Sequence, residues 1–289
     1  MALQPCRVSA ETVRIATINL RNYLVADRMV EGVFRRAYPK PEREKAALRS
    51  IITSVGADVL AVQEIGGSAF VRELQRDLAV LGIDYSFTAI SKGSDEQRHT
   101  ALLARIPFNI RETPVIDFAY FGARQPVKRG LTEAVFVVSG VEWSLFNIHL
   151  KSRWTDRSDD PQSRTRRERE SRAIRNYLKS RFPDRVESRF IVAGDFNATK
   201  DTLTVRQFLR SGETKLSLAV PAMDSRGEAW TYYYRKADTY SRVDFILASA
   251  PLFQLVVDGG GTVYDGFEAA VASDHRMVYV DLNFPDSTR

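Results

Sequence analysis

Acidic, amide and imidazole side chains stand at the ends of short apolar runs throughout this chain. Near the C-terminus, Ser273, Asp274 and His275 precede an apolar run at 277–282, and Asp244 lies inside a comparable run. Other members of the pattern follow strand-like runs: Asn19, Glu64, His149, Asp195 and Asn197. Because a buried ionisable group without a partner is costly, the simplest interpretation is that these groups converge on one site.

Each of these groups also has an ordinary explanation. Asp195 and Asn197 are spaced as in an Asx turn, a lone histidine on an apolar strand is more often a hydrogen-bonded core residue, and Glu64 can cap the element after it. These explanations are reasonable one at a time. We do not expect all of them to hold together along one chain.

Strand-like patterns outnumber helical ones. Helical spacing predicts helices at 41–55 and 68–81. The predicted strands cover 13–18, 59–63, 85–90, 100–106, 133–138, 143–148, 190–193, 243–247 and 277–282. Two packed sheets with helices outside would bury this pattern.

Length and composition predict one domain over 1–289, with a core at about 13–283. The 289 residues are 44% apolar, and no run of 18 apolar residues predicts a transmembrane span. The single cysteine, Cys6, is expected to be a tail residue and favours a reducing, cytoplasmic compartment. Secretion after removal of a leader stays open as an alternative.

The charge balance favours a polyanionic or phosphorylated partner. Lysine and arginine total 42 against 36 acidic residues, a net charge of +6. Eight arginines and five acids occupy 153–175. This segment is either a surface that tracks a nucleic-acid backbone or a solvated helix with Glu168 and Glu170 as intrahelical partners.

Six short blocks resemble the signature motifs of the endonuclease/exonuclease/phosphatase superfamily, which includes DNase I, exonuclease III-like repair nucleases, neutral sphingomyelinases and inositol polyphosphate 5-phosphatases. The blocks are 15–21, 61–65, 147–149, 194–198, 242–247 and 273–275. The resemblance implies an α/β fold, a four-layer α/β/β/α sandwich whose strand ends build one cleft.

The resemblance also implies roles for the polar residues. Glu64, with Asn19 and Asp274, is expected to hold Mg²⁺ or Mn²⁺, in keeping with their hard oxygen ligands. Five residues are expected to be catalytic: Asp195 on the attacking water, Asn197 and His275 on phosphoryl oxygens, Asp244 orienting a histidine, and His149 as candidate general acid.

Position 21 separates branches of the superfamily. Exonuclease III-like repair enzymes have an aspartate there, whereas Arg21 resembles DNase I-like members, as His149 does. Whether the site holds one metal ion or two remains open. Arg21, Lys151 and Arg129 are candidate substrate contacts, although Arg129 is also interpreted as a surface charge. The aromatic segment 230–236 either stacks on bases or sugars or forms a hairpin that packs on the sheet.

The sequence therefore predicts a monomeric, Mg²⁺- or Mn²⁺-dependent phosphodiesterase, with DNA or RNA as its substrate. A phosphoesterase for a small or lipid substrate is the alternative, and an inactive binding scaffold is a third hypothesis. No extended apolar hairpin is recognised in the sequence, which argues against a sphingomyelinase that enters a bilayer.

Overall fold

The computed structural model describes residues 11–155 and 157–285, so Cys6 lies outside the described residues. The strands in chain order are β1 (Glu11–Tyr23), β2 (Ala26–Val30), β3 (Val33–Tyr38), β4 (Val59–Ile65), β5 (Phe87–Ile90), β6 (His99–Ala104), β7 (Phe108–Arg111), β8 (Asp117–Tyr120), β9 (Ala123–Pro126), β10 (Thr132–Val138), β11 (Val141–His149), β12 (Phe190–Asp195), β13 (Arg210–Ser211), β14 (Thr214–Lys215), β15 (Leu218–Ala219), β16 (Ala222–Met223), β17 (Tyr232–Tyr234), β18 (Thr239–Ser241), β19 (Asp244–Ala248), β20 (Gly261–Val263) and β21 (Val278–Phe284). The helices are α1 (Glu42–Val55), α2 (Ser68–Val80), α3 (Arg164–Arg181), α4 (Leu203–Leu209), α5 (Ala250–Phe253) and α6 (Ala269–Ala272).

Two large sheets form the centre of the fold. The first has the order β16-β20-β21-β1-β4-β6-β5, and the second has the order β15-β19-β12-β11-β10-β7. Each contains one central parallel pair joined through a long helix: β1 and β4 through α1, and β11 and β12 through α3. Both connections are strand–helix–strand units, which place the C-terminal ends of the paired strands at one edge.

The layers follow from the alternation of side chains along the strands. Ile15 and Val59 of the first sheet pack with Leu145 and Ile191 of the second in one buried cluster between the sheets. Helices α1, α2 and α6 cover the outer face of the first sheet, while α3 and α4 cover that of the second. The predicted four-layer α/β/β/α sandwich is confirmed.

The predicted elements all have counterparts, with ends that shift by a few residues. Helix α1 begins at Glu42 and stops at Gly56, whose φ of 60° is left-handed and whose N–H bonds Ile52 O. The long helix α3 was predicted as only one of two alternatives for its segment, because its charged residues mask the apolar spacing. In the described ranges, no helix combines the length and apolarity needed to span a membrane.

A polar layer joins the two sheets just below the edge where the parallel strands end. The Gln63 side chain donates to Asn147 Oδ1 at 2.8 Å and to Thr17 Oγ1 at 3.0 Å. Asn147 in turn donates to the carbonyl oxygens of Val62 and Ala101 at 3.0 and 2.8 Å. These buried amides donate to acceptors in both sheets and so connect the sheets, while Gln63 Oε1 has no hydrogen-bond partner within the described residues.

The β2–β3 hairpin is a feature that sequence reasoning missed. It projects from the end of β1, and every residue of β3 is exposed. Met29 is 61% exposed and Phe34 is 56% exposed, and they face each other across the hairpin. These apolar side chains stand among charged ones, including Asp27, Arg35 and Arg36, so the expectation that no extended apolar hairpin enters a bilayer stays a prediction.

Because β11 and β12 approach each other closely at Gly194, a residue with a side chain should not fit there. A Cβ at Gly194 would lie 2.0 Å from Ile148 O, and its φ of 138° is unfavourable for L side chains. We expect Gly194→Ala to lower the free energy of unfolding by about 1–3 kcal/mol or more, because both strain and overlap must be relieved. Urea denaturation measures this change.

Gly260→Ala is the matched control for that substitution. Gly260 has a φ of −149°, and its nearest neighbour to an added Cβ is Pro221 O at 3.4 Å. A Gly194→Ala protein as stable as the Gly260→Ala protein would contradict the packing described for β11 and β12.

Candidate active site

The inward-facing residues of five strands change from apolar to polar toward the shared edge. In each strand, apolar side chains in the inter-sheet core come first, and an acid, amide or imidazole ends the series; in β1 and β11 a threonine or an amide stands between them. The series are 13, 15, 17 and 19 in β1; 59, 61 and 63 in β4; 143, 145, 147 and 149 in β11; 191, 193 and 195 in β12; and 248, 246 and 244 in β19. The period of two therefore delivers Asn19, His149, Asp195 and Asp244 to one place.

Asp195 is the centre of this cluster. It is 1% exposed and accepts hydrogen bonds from Asn19 Nδ2 at 3.0 Å and from the backbone N–H of Asn197 at 2.7 Å. Its Oδ2 also lies 3.6 Å from His149 Nε2 and 3.9 Å from His275 Nε2. The sequence-predicted residues from both sheets thus meet around one carboxylate.

Asp244 and His275 form a hydrogen-bonded pair beside Asp195. Asp244 lies opposite Asp195 in the antiparallel register of β12 and β19, and its Oδ2 is 2.9 Å from His275 Nδ1. This contact fixes the ring and leaves Nε2 directed toward Asp195. Asp244 and His275 are thus brought together, and the orienting role of Asp244 stays a prediction.

Two residues that sequence reasoning left without roles hold this pair. Thr231 Oγ1 accepts the N–H groups of Val243 and Asp244, both at 3.1 Å. Ser273 Oγ donates to Asn19 O at 2.8 Å and accepts the His275 N–H at 3.1 Å. Ser273 was part of the recognised motif, whereas nothing in the sequence around Thr231 indicated its contact.

Glu64 reaches the site through a distortion of its strand. Alternation after Gln63 would direct Glu64 to the outer face, but the β4–β6 register shifts between Gln63 and Ile65 and Glu64 adopts a φ of 59°. Its Oε1 consequently lies 3.9 Å from His149 Nε2. Such a bulge costs about 1–3 kcal/mol for a left-handed residue and is typical of functional sites.

The residues offer two groupings of possible metal ligands. Ligand atoms of Asp195, Asp244 and His275 all lie within 4.8 Å of one another and are buried. In that grouping, however, the contact of His275 with Asp244 already uses Nδ1. The second grouping is the predicted one, in which Glu64 is 18% exposed and the side chain of Asp274 is 34% exposed. Its carboxylate and amide oxygens fit a hard divalent cation, and access from solvent favours it.

Burial and neighbouring charges give the two histidines opposite character. Burial lowers the pKa of His149 well below its usual value, and the charges of Arg129 and His275 lower it further. Burial also lowers the pKa of His275, but the carboxylates of Asp244 and Asp195 outweigh burial, so the His275 pKa is raised. Burial raises the pKa of Asp195, against the charge of His275 and the donated hydrogen bonds.

Arg129 is buried beside the site, so its interpretation as a surface charge was wrong. It is 5% exposed, and its Nε lies 3.4 Å from Asp95 Oδ2. Among residues 11–155 and 157–285, its Nε and one terminal nitrogen have no hydrogen-bond partner. Its charge acts on the pKa of both His149 and Lys151, which places a partly unsatisfied cation near the cleft.

Lys151 and Arg21 are the other two candidate substrate contacts. Burial, followed by the charges of Arg129 and Lys128, lowers the pKa of Lys151 to about 8. The Lys151 amine donates to the carbonyl oxygens of Ser152 and Trp154, so it is held in place by its own loop. Arg21 is half exposed, and its Nε lies 3.9 Å from Asp274 Oδ2.

The arginine-rich segment is largely committed to contacts within the protein. Arg164 and Arg166 pair with Glu168 and Glu170 one helical turn later, as the helical interpretation predicted. Arg167 is buried, and it donates to the carbonyl oxygens of Lys151 and Gln162. These contacts support α3 as a structural helix, with its exposed arginines as the remaining positive surface.

Glu170 was expected only as an intrahelical partner on a solvated helix, but it also has a second role. It is fully buried and accepts the backbone N–H groups of Lys151 at 2.8 Å and Lys128 at 3.2 Å. It thereby ties α3 to the segment that follows His149.

The aromatic segment forms the predicted hairpin, from β17 and β18. The Tyr232 ring lies 4.7 Å from the His275 ring, and Tyr232 stacks with Tyr234 at 6.4 Å. On the other side, Tyr233 stacks with Tyr240 at 4.6 Å. The rings contact one another and His275, so the hairpin borders the cleft.

An edge built from two parallel strand pairs on facing sheets is characteristic of the DNase I-like class of folds. The chain belongs to the endonuclease/exonuclease/phosphatase family, whose model matches residues 16–275. Members of this family are hydrolases that act on phosphoesters, and they typically use divalent metal ions. The resemblance recognised in the sequence is therefore confirmed.

Solved structures share this fold at low sequence identity. An endonuclease/exonuclease/phosphatase from Bacteroides vulgatus has 16% identity and a TM-score of 0.65, with 95% of this chain and 99% of that chain covered. The human Nocturnin catalytic domain with bound sulfate has 16% identity and a TM-score of 0.64, with 95% and 97% covered. Sphingomyelinase C from Streptomyces griseocarneus has 15% identity and a TM-score of 0.61, with 94% and 100% covered. No curated protein matches the sequence.

The Asp244–His275 contact predicts a specific kinetic defect. Asp244→Asn keeps the size of the side chain but removes the negative charge that orients and stabilises the His275 imidazolium. We expect kcat for bis-p-nitrophenyl phosphate to fall by about a hundredfold or more, with circular dichroism unchanged. Asp117→Asn, at an exposed position of β8, is the control and should leave kcat unchanged. A normal kcat in the Asp244→Asn protein would rule out the orienting role.

Proposed function

We propose that this protein is a Mg²⁺- or Mn²⁺-dependent phosphodiesterase that hydrolyses DNA or RNA. The observation that carries the proposal is the buried Asp195 carboxylate, with Asn19 hydrogen-bonded to it and with His149 and His275 within 4 Å. Such a site presents an acceptor for a water proton next to donors for phosphoryl oxygens, which phosphodiester hydrolysis requires. Family membership supports the same reaction class.

The metal would be held by Glu64, with Asn19 and Asp274 as further ligands. When bound, a divalent cation neutralises charge on the phosphoryl group and can lower the pKa of a bound water. Glu64 Oε2 accepts the Asn22 N–H at 2.9 Å, and Asn19 Oδ1 accepts the Arg21 N–H at 2.9 Å. Each oxygen is thus oriented by a backbone donor, in the manner of supported metal ligands.

The remaining residues would position the reacting atoms. Asp195 aligns the attacking water and accepts its proton, while His275, oriented by Asp244, donates to a phosphoryl oxygen. Asn197 Nδ2 donates to Leu150 O at 2.9 Å and to Asp195 Oδ2 at 3.2 Å, and it would exchange the longer of these bonds for one to a phosphoryl oxygen. His149 is the candidate general acid for the leaving oxygen, and both of its ring nitrogens lack hydrogen-bond partners within the described residues. Because the pKa of His149 is lowered in the protein alone, this role requires the negative charge of the bound phosphate to raise that pKa.

A nucleic-acid substrate is favoured by charge. The net charge is +6, and Arg129, Lys151 and Arg21 are the candidate phosphate contacts. Positive groups around a narrow reactive centre attract extended polyanions. In this proposal the chain acts as one monomeric catalytic domain in the cytoplasm.

A lipid or other small phosphoester is the second candidate. The exposed Met29 and Phe34 of the β2–β3 hairpin favour it, because apolar groups beside basic ones suit a lipid interface. An inactive scaffold is disfavoured by the presence of every expected catalytic residue type. A metal-supplemented panel of plasmid, single-stranded DNA, RNA, phosphoinositide vesicles and bis-p-nitrophenyl phosphate separates these functions. Turnover of phosphoinositide alone would replace the nuclease assignment.

Glu64→Gln tests the metal assignment. The substitution removes the anionic oxygen but retains an acceptor for the Asn22 N–H, so we expect an unchanged fold. Turnover of bis-p-nitrophenyl phosphate with Mg²⁺ should fall by about a hundredfold or more. Glu213→Gln, at an exposed turn, is the matched control. Near-normal turnover in a folded Glu64→Gln protein would exclude Glu64 as a required ligand.

Asp195→Asn and His275→Ala test whether two residues act in one transition state. Each should lower kcat far more than it raises KM, because neither group is proposed to bind the ground state alone. The double variant should be about as slow as the slower single variant. If its defect equals the product of the two single defects, the residues act separately.

A further inference from the structure

The corner formed by Arg21 and Asn22 connects the two central metal-ligand candidates. Its backbone N–H groups bind Asn19 Oδ1 and Glu64 Oε2, each at 2.9 Å. Both residues adopt left-handed conformations, with φ of 48° at Arg21 and 55° at Asn22. Non-glycine residues keep such conformations only where surrounding contacts enforce them.

Three cations from separate segments hold the acceptors of this corner. Arg28 in β2 donates to Asn22 O at 3.0 Å, Lys40 donates to Arg21 O at 3.2 Å, and Arg98 donates to Asn22 Oδ1 at 2.7 Å. Lys40 is 2% exposed and is also paired with Glu44 at 2.8 Å. The corner therefore has a charged donor on each of its three oxygen acceptors.

Arg28 makes the most extensive contacts of the three. Besides Asn22 O, its guanidinium donates to Leu24 O at 2.6 Å and to Tyr38 O at 3.0 Å. It thus joins the corner to both strands of the β2–β3 hairpin. Burial lowers the pKa of Arg28, in keeping with a cation that faces backbone rather than solvent.

We propose that Arg28, Lys40 and Arg98 are positioning residues for the divalent cation, acting through the left-handed Arg21–Asn22 corner on Glu64 and Asn19. This inference rests on the metal assignment of the proposed function. The three cations fix the corner carbonyls and amide, the corner N–H groups fix the two ligand oxygens, and the ligands then need no reorganisation when the metal arrives.

Electrostatics and positioning predict opposite signs for the loss of Arg28. Removing a positive charge near a cation site strengthens metal binding, because the Coulomb repulsion between that charge and the metal ion is lost. Removing a brace that orients the ligands weakens it. The sign of the change in Mg²⁺ affinity therefore distinguishes the two effects without any measurement of turnover.

The experiment compares Arg28→Met with Arg35→Met by isothermal titration calorimetry with Mg²⁺ alone. Arg35 is exposed and is the cross-strand neighbour of Arg28 in the same hairpin. Arg35→Met therefore removes one positive charge from the hairpin, as Arg28→Met does, but leaves the contacts of the Arg21–Asn22 corner in place. We expect Mg²⁺ affinity to fall about tenfold or more in Arg28→Met and to stay equal or rise slightly in Arg35→Met. Hydrolysis of bis-p-nitrophenyl phosphate by Arg28→Met should recover as Mg²⁺ is raised, with KM for the substrate unchanged.

Arg98→Met provides a second route if Arg28→Met disturbs the hairpin, because Arg98 reaches the corner from the segment before β6. It should also weaken Mg²⁺ binding, and the double variant should lose less affinity than the product of the single losses, since both act on one corner. Unchanged or tighter Mg²⁺ binding in folded Arg28→Met and Arg98→Met proteins would overturn the proposal. A wild-type protein that binds no Mg²⁺ would instead remove the metal assignment itself, and this inference with it.

Discussion

Two buried carboxylates on adjacent antiparallel strands determine how the rest of the site must be built. Asp195 and Asp244 are 1% and 0% exposed, and a pair of buried like charges is unstable without compensation. The compensating groups come mainly from the other sheet: Asn19 from β1, and His275 from the segment that leads into β21. Polar groups of the first sheet therefore stabilise the buried carboxylates of the second sheet, so the site is part of the contact between the sheets.

Much of the fold was predictable because apolar alternation has a period of two. The same period carries Asn19, His149 and Asp195 to the inward face at the strand ends, so their convergence followed from the sequence pattern. Glu64 could be assigned only from its motif, because strict alternation after Gln63 places it on the outer face. The bulge and left-handed backbone that return it to the site have no local sequence signal.

The sequence-based predictions of the site failed mainly at charged residues that the fold buries. Arg129 precedes a strand and has the composition of a surface position, yet it is 5% exposed beside the cleft. Arg167 and Glu170 likewise lie on the inner face of α3, where sequence reasoning expected solvent. In each case a long-range partner decides the outcome: Asp95 for Arg129, and the backbone around Lys151 for the two helix residues. Such partners are distant in sequence and cannot be read from spacing.

The polar layer formed by Gln63, Asn147 and Thr17 limits how the two sheets can move relative to each other. Sliding one sheet past the other by even one residue would break the amide contacts across the interface and leave buried donors without acceptors. The two halves of the sandwich therefore behave as a single rigid frame at this depth. Differences in substrate shape would then be met at the rim, on the surfaces that the β2–β3 and β17–β18 hairpins present outside this frame.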